Sequence, residues 1–106
     1  VLKGRVLDVV VDLRKKSKTF GKYIIEELNE FNNLQLYIPV GMAHGFLTLE
    51  DNTIFSYKCS EFYNKESEDS LVWNDKVLNI KWPDSNPILS EKDENANKFT
   101  SFVSPF

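Results

Sequence analysis

From Arg5 to Leu13 the chain alternates: Leu7, Val9, Val11 and Leu13 fall on one side of an extended backbone, and Val6, Asp8, Val10 and Asp12 on the other. This predicts a strand with one dry face. Arg14-Lys15-Lys16-Ser17-Lys18 follows as a charged, solvated connection. Phe20 to Leu28, with Tyr23, Ile24 and Ile25 at its centre and Gly21 and Asn29 near its ends, predicts a second strand. The Asn-rich stretch Asn29 to Asn33 predicts a turn, and Leu34, Leu36 and Ile38 alternating with Gln35 and Tyr37 predict a third strand, closed by Pro39. Residues 44–50 and 53–59, separated by the turn pair Asp51-Asn52, predict a hairpin. Two short runs, Leu71 to Trp73 and Leu78 to Trp82, complete the pattern, stopped by Asn74-Asp75 and by Pro83.

Short strands at this spacing, with no long 3.6-residue period, predict an all-β sandwich or barrel and exclude a βαβ fold. The one helical signal is Ser90-Glu91-Lys92-Asp93, where Ser and Asp have capping-box spacing, so a short helical turn is expected near the C-terminus. The 106 residues suffice for one domain, spanning 1–106. The chain enters strand pattern within a few residues of Val1 without an initiator Met, whereas the pattern from Lys98 to Phe106 fades gradually. The expectation is that N-terminal strands of the barrel precede Val1.

A net charge of −3 supplies no basic field for nucleic acid or an anionic membrane, so an anionic ligand needs a local cluster of cations. No apolar run approaches the roughly 18 residues of a membrane span, and no signal-peptide pattern opens the chain. One Cys and one His leave no disulfide framework and almost nothing for a zinc site, and a cytoplasmic location is expected. The scattered glycines form no phosphate-cradling loop, and no Ser or Cys stands beside a His in a nucleophile pattern.

Five segments carry candidate chemistry. Pro39-Val40-Gly41-Met42-Ala43-His44 joins a strand stop, a tight turn and a histidine that shares a face with Phe46 and Thr48; it resembles the P-x-G-x-x-H motif of the cupins, in which such a His either ligates metal or is structural. Without a second His, no metal site is expected. Tyr57 shares a face with Phe55 and Cys59; it either fills the barrel or delivers a phenolic proton into it. Tyr63 is a rim aromatic or a stacking platform, Glu68 belongs to the acidic turn Lys65 to Asp69, and Asp93 has a capping role.

The order of several segments over the whole chain resembles the dTDP-4-dehydrorhamnose 3,5-epimerases. They are Gly4-Arg5-Val6-Leu7-Asp8-Val9-Val10-Val11-Asp12-Leu13-Arg14, Ser17-Lys18-Thr19-Phe20-Gly21, Ile38 to Phe46, Tyr57-Lys58-Cys59, Trp73-Asn74-Asp75, Trp82-Pro83 and Leu89-Ser90-Glu91-Lys92-Asp93. The resemblance implies a cupin-type jelly roll, a homodimer, a dTDP-4-keto-6-deoxy sugar as substrate, and epimerisation at the two carbons flanking the ketone without metal or other cofactor. It implies Tyr57 as the acid that reprotonates the enolate, and Asp93 as the carboxylate that orients the catalytic histidine. It also implies His44, Glu68 and Lys92 as substrate contacts, and Tyr63 as the aromatic that stacks on thymine. A relative that inverts one carbon or takes another sugar nucleotide, and a non-catalytic cupin-like sugar-binding module, share much of this pattern.

The family's base is a histidine in a G-L-H-F segment, and its enolate-stabilising lysine and diphosphate-binding arginines lie near it. None of these is among the 106 residues, and His44 is not the base. The 106-residue chain alone is therefore expected to be inactive. The check is solvent deuterium: none should enter a 4-keto sugar nucleotide incubated with this chain, and incorporation would overturn the expectation.

Overall fold

The computed structural model describes residues 1–106 as three strands, one α-helical turn and two 3-10 turns. Strands β1 (Arg5–Asp12), β2 (Tyr23–Asn29) and β3 (Met42–Thr48) form an antiparallel sheet in the order β2-β1-β3. β1 is thus the middle strand, with Val9 opposite Ile25 on one side and Gly45 on the other. The helical turn α1 (Glu91–Glu94) starts where the sequence predicts, with the Ser90 hydroxyl accepting from the Asp93 N–H at 3.2 Å. The 3-10 turns cover Lys65–Ser67 and Phe99–Ser101.

One sheet face carries the core. Val9, Val11 and Leu13 pack with Tyr23, Ile25 and Ala43 against Leu71, Leu78, Ile80, Trp82, Phe99 and Phe102 of the C-terminal segment. Burying each of these valines contributes about 1.5–3 kcal/mol. The expectation of one dry face on β1 is corrected by the opposite face. There Val6, Asp8, Val10 and Asp12 are buried as well, because the side chains of both neighbouring strands close over a central strand.

Four predicted elements are not strands. Residues 34–38 form no ladder. The Asn29 and Asn32 side-chain oxygens accept from the N–H groups of Phe31 and Asn32 and of Asn29 and Leu34, and Asn33 has φ 54°, so the chain leaves the turn without a partner strand. Residues 53–59 form no ladder beyond the isolated Lys3–Ile54 bridge, so the predicted hairpin does not form and β3 pairs with β1 instead. Leu71 makes one parallel bridge to Asn97, and residues 78–82 pack on the sheet as irregular chain, secured by Trp82 Nε1–H donating to the Trp73 carbonyl at 2.8 Å.

Buried carboxylates fix the irregular parts. Asp12 accepts from the Arg14 guanidinium at 2.9 and 3.0 Å, the Arg14 N–H at 2.9 Å, and the Ser17 and Thr19 hydroxyls at 2.6 Å each. The charged connection is therefore anchored at its start rather than merely solvated. Hydrogen bonds from Arg14, Ser17 and Thr19 hold the Asp12 carboxyl far below its ordinary range. At Asp75, burial pushes the carboxyl up, but N–H donation from Phe99, Leu78 and Val77 and the charge of Lys98 outweigh it and hold it below its usual value. Arg5 on β1 grips Glu27 of β2 with two bonds of 2.9 and 3.0 Å, lowering the Glu27 carboxyl, and reaches Glu50 beyond β3 at 3.6 Å.

Gly41, at φ 93°, lets the backbone enter β3, and its carbonyl accepts from Leu13 N–H at 2.9 Å. A Cβ there would stand 2.6 Å from Arg14 Cγ. Gly41→Ala is expected to cost about 1–2 kcal/mol or more, from left-handed backbone strain and a displaced Arg14, read as a lower urea midpoint. Asp12, Glu27 and Asp75 are all depressed in the folded state. Their stabilisation is complete above the unfolded carboxylate range of about pH 4 and is lost as pH falls through the folded values. Asp12→Asn is expected to unfold at a lower temperature at pH 7 and to lose less on acidification than the unsubstituted chain; an equally steep acid decline would remove Asp12 from this role.

Candidate active site

Strand β3, the core-face residues Val9, Val11 and Leu13, and segments after residue 56 line a cavity of about 1060 Å³. His44, Tyr57, Glu68, Lys92 and Asp93 all line it, although they come from a strand, two irregular segments and a helical turn. Tyr63 does not line it and is largely exposed.

His44 lies on β3 opposite Val10, and its Nε2 sits 2.9 and 3.0 Å from the two oxygens of Asp8. Asp8 is 1% exposed on the middle strand. The sequence singles out His44 and not Asp8. The available signal is an acidic residue inside a strand otherwise rich in valine, since Asp is depleted from strands and a buried carboxylate needs a partner.

An aromatic row carries Tyr57 to the same place. Phe55 stacks edge-on against Phe46, with ring centroids 4.7 Å apart, and lies 6.5 Å from the His44 ring and 6.2 Å from Tyr57. Tyr57 is 70% exposed, so it does not fill a core, and its hydroxyl makes no hydrogen bond within the chain. A phenol in that setting is free to donate to a ligand.

Glu68 and Lys92 meet because their segments are tied together. The Leu71–Asn97 bridge is flanked by Asn97 N–H to Ser70 O at 3.0 Å and Val72 N–H to Asn97 O at 2.8 Å, and Asn97 Nδ2 donates to Asp69 Oδ1 at 2.9 Å. Lys92 Nζ then lies 3.2 Å from Glu68 Oε2. Next to Lys92, Asp93 Oδ2 accepts from the Ser90 hydroxyl at 2.9 Å. The capping role predicted for Asp93 is thus compatible with a carboxylate that also faces the cavity. The cavity offers a phenol, an imidazole and an ammonium as donors, with carboxylates beside them. That set suits a polar, anionic ligand and proton transfer at a carbon next to a carbonyl. No group of three or more His, Cys, Asp or Glu side chains is placed to hold a metal, and no helix is long and apolar enough to cross a membrane.

Comparison with known proteins agrees with this chemistry. The sequence model of the dTDP-4-dehydrorhamnose 3,5-epimerase family matches residues 1–101. The chain is similar to the dTDP-4-dehydrorhamnose 3,5-epimerase of Shigella flexneri, 51% identical over 96 residues, which is 91% of this chain and 53% of that protein. It superposes on the crystal structure of the Elizabethkingia anophelis enzyme of the same name with a TM-score of 0.87 and 55% identity, over 93% of this chain and 55% of that one. It also superposes on the Legionella pneumophila dTDP-6-deoxy-D-glucose-3,5-epimerase in complex with dTDP-4-keto-L-rhamnose, with a TM-score of 0.86 and 39% identity, over 97% of this chain and 55% of that one. The chain thus spans about half the length of the relatives it matches. The all-β sheet with almost no helix is that of the cupin-type jelly roll of these proteins. On sequence and on fold alike, the chain belongs to the dTDP-4-dehydrorhamnose 3,5-epimerase family.

Proposed function

We propose that the protein acts in a dTDP-4-dehydrorhamnose 3,5-epimerase, inverting C3 and C5 of a dTDP-4-keto-6-deoxy sugar on the way to dTDP-L-rhamnose. The observation that carries this reading is the convergence of His44, Tyr57, Glu68, Lys92 and Asp93 on one cavity. A proton α to a ketone is removable because the electron pair left behind spreads onto the ketone oxygen as an enolate. Inversion follows when the proton returns to the opposite face. Tyr57 is the donor in this reading: its O–H bond breaks as the new C–H bond forms, and the enolate collapses to the ketone. Its exposure and unpartnered hydroxyl support that role.

Asp93, held by Ser90, is the carboxylate that orients the base, a histidine the family resemblance assigns outside these 106 residues. His44 and Lys92 contact the sugar or its diphosphate, and Glu68 the substrate beside them. Tyr63 stacks on the thymine ring from the rim, a role its exposed ring accommodates. The enzyme works in the cytoplasm as a homodimer and uses no cofactor. The Legionella relative, bound to dTDP-4-keto-L-rhamnose, supports the substrate class.

Tyr57→Phe in the complete protein tests the assignment. An exposed ring losing only its hydroxyl should leave the thermal midpoint nearly unchanged, while formation of epimerised product falls by about 10²-fold or more. Solvent deuterium should still exchange into the sugar, because abstraction does not need the phenol. Unchanged turnover with an intact fold would remove Tyr57 from the chemistry.

A further inference from the structure

Asp8 is a buried carboxyl group with no part assigned to it in the reaction above. It sits on the middle strand between Val6 and Val10, 1% exposed, and the imidazole of His44 is its sole partner. Nε2 faces both carboxylate oxygens, at 2.9 Å from Oδ1 and 3.0 Å from Oδ2, but it is aligned for a hydrogen bond with Oδ2 alone, so Oδ1 is a buried acceptor without an aligned donor. Asp8 forms no ion pair with any lysine or arginine. Arg5 is held by Glu27 and Glu50, Arg14 by Asp12 and Lys92 by Glu68. A buried carboxylate is a costly way to fill a strand position that a valine would pack, so its value lies in what it does to the ring.

We propose that Asp8 is a positioning residue that fixes the orientation and tautomer of His44. Taking the Nε2–H, it leaves Nδ1, which has no partner in the chain, as the nitrogen presented to a ligand in the cavity. When the ring carries both protons, it donates Nε2–H to Asp8 and Nδ1–H to a carbonyl or anionic oxygen of the ligand, with the buried carboxylate countering the charge. One imidazole is thereby held rigidly from behind by a carboxylate that never meets the ligand. This deepens the proposed function, on which the ligand contact of His44 rests.

His44 is the one histidine of the chain, so the nitrogen-15 imidazole spectrum of the 106-residue protein reports this ring without ambiguity. The neutral ring is expected to carry its proton on Nε2. Asp8→Asn, whose amide oxygen still accepts, should keep that tautomer, and Asp8→Leu should give a mixture. A wild-type ring protonated on Nδ1, or mixed, overturns the proposal whatever the variants do. In the complete protein, Asp8→Asn should lower kcat/KM for the dTDP-4-keto sugar by about tenfold or more, since the charge behind the ring is gone. Unchanged kcat and KM in a variant that folds overturn the proposal even with the expected tautomer. If the complete protein turns over no such sugar, the functional reading fails separately, and dTDP is the remaining probe. A shift of the Nδ1 resonance on adding dTDP, lost in Asp8→Leu and in a His44→Gln control, supports the positioning role; no shift overturns it.

Discussion

Strand β1 lies between its two partners with both faces covered, so each charged group on it must be answered from within the chain. Two carboxylates meet that constraint in different ways. Asp12, at the strand's end, collects donors from its own following loop, Arg14, Ser17 and Thr19, and thereby shapes the connection to β2. Asp8, in the strand's middle, has no loop within reach and is answered across the sheet by His44 of β3. The first carboxylate builds structure. The second couples the sheet to the cavity.

The C-terminal half obeys a related rule with less regular backbone. It covers the Val9–Val11–Leu13 face with Leu78, Ile80, Trp82, Phe99 and Phe102, but it has no ladder to hold it in place. Asp75 takes over part of that work, joining the N–H groups of Val77 and Leu78 to that of Phe99. Ser104, donating to the Leu13 carbonyl, and Lys15 N–H, donating to the Phe106 carbonyl at 3.1 Å, tie the chain end to the start of the loop after β1. The Leu71–Asn97 bridge lies between these anchors, and it sets the distance between Glu68 and Lys92. Packing on one face of the sheet thus determines side-chain placement in a cavity that extends to the other.

The sequence was legible where one physical signal dominated. Period-two alternation located β1, the β-branched and aromatic run Tyr23-Ile24-Ile25 located β2, and the Ser90–Asp93 spacing located α1, because these signals are local. Residues 34–38 and 53–59 alternate as well but remain irregular, since alternation states which side chains share a face and not whether a partner strand is present. The pairing of β3 with β1 rather than with residues 53–59 is a long-range choice that adjacent turn residues do not reveal. Among the site residues, His44, Tyr57, Glu68, Lys92 and Asp93 were named from the sequence, and they share a cavity, whereas Tyr63 stands outside it. Asp8 escaped notice because period two assigned it to the wet face of a half-buried strand. Only the central position of β1 makes that face dry.

The two cationic or potentially cationic groups of the cavity, Lys92 and His44, each already face a carboxylate, and the pairs differ in depth. Lys92 and Glu68 are well exposed, with side chains 51% and 36% accessible, so their ion pair contributes little and costs little to give up. The ammonium is therefore free to leave Glu68 for another partner, and the carboxylate to return to water. Asp8, 2% accessible at its side chain, has no such freedom, since without the imidazole its charge would be left buried and alone. His44 must keep that bond and meet a ligand with its other nitrogen. The cavity lining thus has one adaptable cation and one fixed ring. The fixed ring is tied in turn to Tyr57, because the Phe55 ring lies beside both.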